Sequence, residues 1–215
     1  MIVLVSGLAG ILAGGSHVLA GADHLASVAP LAAADRRRAW RAGLRWGMGH
    51  AGGVAIVAML AFVLREAISL ESLSTWSERV VGVTLIAIGV WAATGAGRSP
   101  RPATAHVHAG SAHPHTHPHR HGRQRAALFV GLVHGTAGGG HILGVVPALA
   151  LPSRAASLGY LAGFGAGTVL AMTLFATLAG AASARFAIAG PRAWAGFLRG
   201  CGATSIAVGV FWLVH

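Results

Sequence analysis

Two pairs of histidines lie inside apolar stretches of the sequence and share one spacing. In each pair the second histidine follows the first by seven positions, and a proline comes six positions later. The two frames consist of His17, His24 and Pro30, and of His134, His141 and Pro147. Ionisable side chains are costly inside a membrane and are functional by default. Because neutral imidazole is a common metal ligand, each frame is a candidate metal site.

Two further residues extend this set. Asp23 is the only carboxylate in an apolar segment, and His50 is a fifth histidine in one. Imidazole with one carboxylate and no thiolate suits Ni, Co, Zn or Cu(II) rather than Ca or Mg. Histidine ligands bind metal only when deprotonated, so metal passage is coupled to protonation in principle. The predicted metal ligands are His17, Asp23, His24, His50, His134 and His141, with Asp23 neutralising charge.

The seven-residue spacing constrains the helices that carry the pairs. Residues seven apart in a regular helix lie about 10.5 Å apart along its axis, whereas a metal–imidazole bond measures about 2.0–2.1 Å. Glycine weakens a helix, and it occurs between the histidines of both pairs, at Gly21 and at positions 138–140. The sequence therefore predicts that both spans are interrupted beside their histidines, with freed backbone groups lining a polar cavity.

The composition indicates which elements position these residues. The chain has 215 residues, of which 54% are hydrophobic and 10% charged, and its mean hydropathy is +0.66. This is too apolar for an ordinary soluble domain, and a transmembrane helix needs about 20 apolar residues. Six segments qualify, at about 5–30, 40–64, 79–96, 126–150, 156–181 and 194–214. The N-terminus lacks the basic region and cleavage site of a signal peptide, so the first helix is expected to stay in the mature protein.

The net charge of +11 comes from arginines at the ends of the apolar segments. These arginines are concentrated in the first, third and fifth connections. By the positive-inside rule those connections are cytoplasmic, and both termini lie outside the cell membrane. Since topology accounts for the charge, nucleic acid is not an expected partner. The expected partners are the lipid bilayer and a transition-metal ion, and the sequence leaves a homo-oligomer open.

A polar insert at 98–125 divides the chain into two halves, 1–97 and 126–215, of three spans each. Because three is odd, the second half enters the membrane from the opposite face, and the matching histidine frames predict an inverted-topology repeat. The predicted fold class is therefore all-α: a polytopic membrane protein of six transmembrane helices arranged as two inverted three-helix repeats.

The insert itself is rich in histidine. Seven histidines lie there: His106, His108, His113, His115, His117, His119 and His121. We interpret the insert as an auxiliary metal-capture loop on the cytoplasmic side, with a solvated, weakly metal-binding linker as the alternative.

Three segments of the sequence together resemble a known family. They are the segment 17–30, the Trp-Gly-Met-Gly-His that ends at His50, and the glycine-rich stretch 131–154. In these segments, and over nearly all six spans, the chain resembles the nickel/cobalt transporter (NiCoT/NicO) superfamily. It is similar to the small six-span members, labelled high-affinity nickel-transport or urease-accessory-like proteins. The family's intramembrane His–Asp–His signature falls on His17, Asp23 and His24. The two histidines are one residue further apart here than in the longer importers, and the earlier Asp of that motif is absent.

The residues and the resemblance predict a membrane transporter of a divalent transition metal, nickel or cobalt first. The metal is its substrate, no permanently bound cofactor is expected, and the protein is not expected to be an enzyme. Alternatives of the same class are a nickel/cobalt efflux protein and a membrane protein that delivers metal to urease or hydrogenase. Alternatives of another class are a bis-His haem electron carrier and an intramembrane metalloenzyme, for which Asp23 is the only candidate base. Because only the first half contains Asp23 and His50, the tightest metal station is expected there.

Overall fold

A computed structural model describes residues 1–63, 70–95, 121–137 and 140–214, with side-chain detail for all of these except 61–63, 70–77, 121–124 and 140–143. The described residues form eight α-helices and a 3-10 turn at Arg36–Arg38, and no strand occurs among them. The helices are α1 (Ile2–Ala20), α2 (Ala22–Ala34), α3 (Ala39–Val63), α4 (Leu70–Gly95), α5 (His121–Thr136), α6 (Gly140–Ala150), α7 (Arg154–Ile188) and α8 (Pro191–Val214). The predicted all-α class is confirmed. The predicted loop at 98–125 lies almost wholly outside the described residues.

Four helices are long and apolar enough to cross a membrane, within the part of the chain that the structure describes. They are Ile2–Ala20, Glu78–Gly95, Arg154–Ile188 and Pro191–Val214. An all-α membrane protein is consistent with these helices. The first and fourth predicted spans are each divided between two helices, α1 with α2 and α5 with α6. Since α2, α5 and α6 have 13, 16 and 11 residues, none of them alone reaches the roughly 20 residues that a membrane span needs.

Helix α7 is much longer than the predicted span 156–181. It has 35 residues, which corresponds to about 52 Å at 1.5 Å per residue. The helix ends just before Gly190, which has a φ of +120° that L side chains rarely adopt. Pro191 then begins α8, as suits a residue whose missing N–H is not needed at the first helical position. The last turns of α7 reach the end of α2, where the Ser183 hydroxyl donates a hydrogen bond to the carbonyl of Ala33 (2.8 Å).

Glycines bring helix backbones into direct contact in several pairs, among them α1 with α7, α3 with α5, and α4 with α8. In the first pair, a Cβ at Gly14 would collide with the carbonyl oxygen of Phe164, and a Cβ at Gly167 with that of Ile11. In the second, a Cβ at Gly131 would collide with the carbonyl oxygen of Trp46. Small residues allow such close approach of membrane helices. The first helix of each predicted half therefore packs along the second helix of the other half.

The core lies where five helices meet. Val18 from α1, Val28 from α2, Trp46 from α3, Val130 from α5 and Met172 from α7 are all buried in one hydrophobic cluster. Each of these five helices supplies either a histidine predicted to bind metal or an aromatic ring that packs against one. The packed interior of the bundle therefore fixes the backbone from which those side chains extend.

Helix α2 is also fixed by a hydrogen bond to α8. Pro30 lies inside α2, and because proline has no N–H, the carbonyl four residues earlier, at Ala26, loses its helical partner. The Ser205 hydroxyl of α8 donates to this carbonyl at 2.6 Å, and Ser205 is fully buried. Pro30, the proline of the first histidine frame, thus leaves a free acceptor through which α2 is attached to the bundle.

Candidate metal centre

The first histidine pair lies at the junction between α1 and α2. Gly21 separates the two helices, with φ −81° and ψ 99°. Its N–H donates to the carbonyl of His17 (3.0 Å), and its own carbonyl accepts from the N–H of His24 (3.1 Å). The chain therefore changes direction between the two histidines, and the predicted interruption of the first span is confirmed.

This interruption brings two imidazoles together that one regular helix would keep apart. The Nε2 atoms of His17 and His24 lie 3.0 Å apart. Two nitrogens that bind one tetrahedral ion at about 2.0–2.1 Å lie about 3.3 Å from each other. The observed separation is close to this value, so a small outward movement of either ring admits a metal ion between them.

Glycine is required at position 21 for a steric reason. A Cβ at this position would collide with Nδ1 of His24 and would lie 3.0 Å from both Cγ and Cε1 of the ring. The dihedral angles of Gly21 are ones that other residues also adopt. The glycine therefore makes room for the imidazole, in addition to weakening the helix.

Asp23 contacts His24 through Nδ1, the ring nitrogen that does not face His17. Its Oδ1 is 2.9 Å from Nδ1 of His24, and the side chains of Asp23 and His24 are only 13% and 8% exposed. A carboxylate only accepts, so Nδ1 of His24 carries the hydrogen and Nε2 presents its lone pair to His17. Carboxylates that hold metal-binding histidines in this way fix the tautomer and raise the basicity of the ligand.

The same carboxylate lies in the first turn of α2. The positive end of the α2 dipole would repel a cation at this position, and a negative charge in the first turn counteracts it. The carboxyl end of α1, which carries the opposite partial charge, faces the same junction. Asp23 therefore offsets the positive end of the α2 dipole at the junction, and it also orients His24.

His50 of α3 completes a group of three histidines. One nitrogen from each of His17, His24 and His50 can be chosen so that all three lie within 4.8 Å of one another. The rings of His17 and His24 have their centroids 5.4 and 5.0 Å from that of His50. His24 and His50 are buried, and His17 is partly exposed. Three imidazoles around one point, with a carboxylate behind one of them, form a donor set suited to a divalent transition metal.

His134 of α5 lies beside this group. Its ring centroid is 6.0 Å from that of His24, and the side chain is 2% exposed. Its Nδ1 is 3.0 Å from the carbonyl oxygen of Val130, which fixes the hydrogen on Nδ1. Its Nε2 is buried and has no hydrogen-bond partner within the described part of the chain. His134 thus belongs to the same polar region as the first pair, although it contributes no nitrogen to the three-histidine group.

Two aromatic rings enclose the histidines. Trp46 is fully buried and stacks on His50, with the centroids 5.0 Å apart and the planes at 10°. It also contacts His24 and His134, at 5.3 and 5.4 Å. Phe164 of α7 contacts His17 at 5.5 Å. These rings pack against the imidazoles and restrict their rotation.

The sequence alone did not assign these two aromatic residues to the site. Trp46 precedes His50 by four positions and so lies on the same face of α3, a spacing that predicts contact along a helix. Phe164 has no such signal, because its helix contains no predicted ligand.

The remaining predicted ligands fall where side chains are not described. His141 belongs to α6, but its side chain lies outside the described detail. α5 ends at Thr136 and α6 begins at Gly140, so the helices end on either side of the second predicted interruption. Of the loop histidines, His121 is the first residue of α5 and the others precede the described part of that helix.

Three known proteins are similar to this chain. Chloroplast proteins FOR GROWTH AND FERTILITY 2 and 1 from Arabidopsis thaliana are each 35% identical to it, over 182 and 186 residues. Each alignment covers 84% of this chain but only 48% and 51% of the respective relative. The chain thus spans about half the length of these two proteins.

The third is urease accessory protein UreH from Bacillus sp. (strain TB-90). It is 30% identical over 165 residues, which are 74% of this chain and 69% of that protein. Neither a family model nor a solved structure matches the chain.

Proposed function

The chain belongs to the family of urease accessory protein UreH, and from this premise we propose that it carries a divalent transition-metal ion, nickel or cobalt first, across a membrane. The observation that carries the proposal is the group formed by His17, His24 and His50, whose ligand atoms lie within 4.8 Å of one another inside an apolar helix bundle. The resemblance of the His–Asp–His segment to the nickel/cobalt transporters supports nickel or cobalt as the substrate. In this proposal the site carries an ion and catalyses no chemical reaction.

The hydrogen bond between the first two histidines supports a link between metal and protons. With the hydrogen of His24 on Nδ1, the 3.0 Å contact between the Nε2 atoms requires a hydrogen on Nε2 of His17. An ion that binds both Nε2 atoms must displace this hydrogen. The same two nitrogens thus hold either a proton or a metal ion, which is the exchange that a proton-linked carrier needs.

An inverted repeat is part of the proposal, and two pairs of backbone contacts support it. Gly14 lies against the carbonyl of Phe164, and Gly131 lies against the carbonyl of Trp46. The second histidine frame lies 117 positions after the first, so positions 14 and 131 correspond. The two contacts are therefore the same contact made once by each half, with Trp46 and Phe164 as equivalent residues.

The second pair of contacts follows the same rule. Gly167 lies against the carbonyl of Ile11, and Gly49 lies against the carbonyl of Leu128. Positions 11 and 128 correspond in the repeated frame, and Gly49 and Gly167 each lie three residues after the aromatic residue of their helix. Repeats of this kind place the substrate site at their interface, beside the broken helices.

The proposed topology has six spans in a cell membrane, with α1–α2 and α5–α6 forming one interrupted span each. The arginine-rich connections and the histidine-rich segment 98–125 face the cytoplasm, and both termini face outside, by the positive-inside rule. In this orientation the seven loop histidines collect metal beside the cytoplasmic entrance or buffer it after entry.

A haem carrier is less compatible with the site. Bis-His haem requires two imidazoles on opposite faces of a flat macrocycle, whereas three imidazoles here converge on a volume of single-ion size. A Soret band in the purified protein would favour the haem carrier over the metal carrier.

The proposal is tested by reconstituting the purified chain in liposomes and measuring the entry of Ni, Co, Zn and Cu(II), with and without a pH gradient. We expect Ni or Co to enter faster than into empty liposomes, and His17→Ala and His24→Ala to abolish this flux. Unchanged flux in both variants, or no flux of any of the four metals, would contradict the proposal. Repeating the measurement with residues 103–122 deleted separates a capture loop, which accelerates flux, from a passive linker, which does not.

A further inference from the structure

The correspondence between the two halves identifies a second polar position opposite His50. Because Trp46 and Phe164 make equivalent contacts, the residues one helical turn after them also correspond. His50 follows Trp46 by four positions, and Thr168 follows Phe164 by four positions. Thr168 is therefore the counterpart of His50 in the second half, just as His134 is the counterpart of His17.

The ring contacts obey the same correspondence. Trp46 contacts His134 at 5.4 Å, and Phe164 contacts His17 at 5.5 Å. The aromatic residue of each half thus packs on the first histidine of the other half. This agreement is independent of the glycine contacts, because it concerns side chains rather than backbone.

The hydroxyl of Thr168 has an unusual environment. Thr168 is fully buried, and its Oγ1 has no hydrogen-bond partner among the described residues. Elsewhere in the same helix, Thr173 and Thr177 donate to the carbonyl four residues earlier, at 2.7 Å each. A hydroxyl in a helix often bonds to its own backbone in this way, whereas the hydroxyl of Thr168 forms no such bond and stays buried without a partner among the described residues.

His134 has the same property on its second nitrogen. Its Nδ1–H is fixed by the carbonyl of Val130, so its Nε2 carries a lone pair. This Nε2 is buried and has no partner within the described residues. A neutral histidine held by a backbone carbonyl through one nitrogen, with the other nitrogen available, has the arrangement of a metal ligand.

In this correspondence His134 is related to Thr168 as His17 is to His50, and the rings of His17 and His50 have centroids 5.4 Å apart. From this relationship and the two unpartnered atoms, we propose that His134 and Thr168 form a second, weaker station for the same class of ion, a hydrated divalent transition metal. This inference rests on the proposed function. The imidazole Nε2 binds the ion, and the threonine hydroxyl binds it directly or through a water molecule that the ion keeps. With one imidazole instead of three, the second-half station holds the ion less tightly than the group of His17, His24 and His50.

The position of the second-half station gives the ion a path between the halves. The rings of His24 and His134 have centroids 6.0 Å apart, so an ion that leaves the three-histidine group has a ligand within reach. A tight station in one half beside a weak one in the other lets the ion be captured from dilute solution and released. In this proposal the two halves share one histidine frame but bind the ion with different affinities, because their ligands differ.

The test is an equilibrium titration with Co²⁺ and Ni²⁺ on the full-length chain in detergent, with the seven loop histidines replaced by asparagine so that they do not bind. We expect one tightly and one weakly bound ion per chain. Thr168→Val should weaken only the second by about 10–100-fold, the usual cost of losing a supporting group at a metal site. Thr168→Ser should retain it, and His134→Gln should abolish it, whereas His24→Ala should abolish the tight event and leave the weak one.

Two controls make the outcome decisive. Thr173→Val removes a hydroxyl that bonds its own helix and should leave both events unchanged. Metal-free Thr168→Val should unfold at the same or a higher temperature than the parent chain, because it removes a buried hydroxyl without a protein partner. The second-half station alone would be overturned if the weak binding event survives Thr168→Val, or if the parent chain binds only the tight ion. A parent that binds no ion would overturn the proposed function with it.

Discussion

Gly21 lies directly against the imidazole of His24, so that a Cβ at position 21 would collide with Nδ1 of the ring. The same nitrogen is hydrogen-bonded to Asp23 at 2.9 Å. Any atom added at Gly21 must therefore push the ring away from its carboxylate. The glycine between the two histidines is thus part of the candidate metal site, because it determines where the second imidazole lies.

The first prediction is that Gly21→Ala lowers the affinity for Ni²⁺ or Co²⁺ by about tenfold or more, the effect of disturbing the group that orients a metal ligand. Isothermal titration of the purified chain measures it. Gly15→Ala is the matched control, since Gly15 is a glycine of α1 with nothing within 4 Å of a Cβ built on it. Equal affinities in the two variants would show that position 21 tolerates a side chain and that the contact has no effect on binding.

The second prediction concerns the charge on Asp23. Asp23→Asn keeps an oxygen near Nδ1 of His24 but removes the negative charge, so we expect the metal affinity to fall by about 10–100-fold. Metal flux at low concentration should fall with it, and flux at saturating metal should fall less. Asp35→Asn changes the carboxylate at the other end of the same helix and should leave the affinity unchanged. If both variants bind as the parent does, the carboxylate does not support the site.

The sequence predicted the candidate ligands of the first half and the helix break that lets two of them meet. His17 and His24 were assigned from their repeated spacing, and the break at Gly21 from the length of a regular helix. The contact with His50 required that α3 pack beside the break, and the small-residue faces of α3 made this plausible without fixing it. The close arrangement of these helices depends on glycines four positions apart, such as Gly43 and Gly47, that contact other backbones. That spacing favours close helix packing without indicating which helix is the neighbour.

The enclosing residues could not be predicted for a physical reason. Phe164 and Thr168 are residue types that are common in apolar helices, and Phe164 contacts His17 only because α7 crosses α1 at Gly14 and Gly167. In the proposed repeat, the correspondence of His50 with Thr168, rather than with Gly167, also rests on this crossing. Sequence spacing aligned the first helices of the two halves, whereas the alignment of their second helices came from three-dimensional contacts.

The third prediction separates packing from metal binding at Trp46. Trp46 is fully buried and stacks on His50, so Trp46→Ala should reduce the free energy of unfolding by about 3–5 kcal/mol, as for other large aromatic residues in a core. Trp46→Phe retains a ring against His50 and should lose much less. Unfolding in the absence of metal measures the packing, and the added stability in saturating Ni²⁺ measures the site.

The two Trp46 variants should also differ in metal affinity. Without a ring at position 46, the imidazole of His50 is free to rotate, and the affinity should fall with Trp46→Ala. With Trp46→Phe the affinity should stay near that of the parent. An affinity that is unchanged in both variants would limit the tryptophan to a packing role.

The last prediction concerns the attachment of α2. Pro30 deprives the carbonyl of Ala26 of its helical donor, and the hydroxyl of Ser205 replaces that donor at 2.6 Å. Ser205→Ala leaves this buried carbonyl without the donor and should cost about 1–3 kcal/mol of unfolding free energy. Thr204→Ala is the control, because Thr204 is exposed and donates to Gly200 of its own helix (3.0 Å). Since α2 carries Asp23 and His24, Ser205→Ala should also weaken metal binding, whereas Thr204→Ala should change neither quantity. A Ser205→Ala chain as stable as the Thr204→Ala chain would mean that another group satisfies the carbonyl of Ala26.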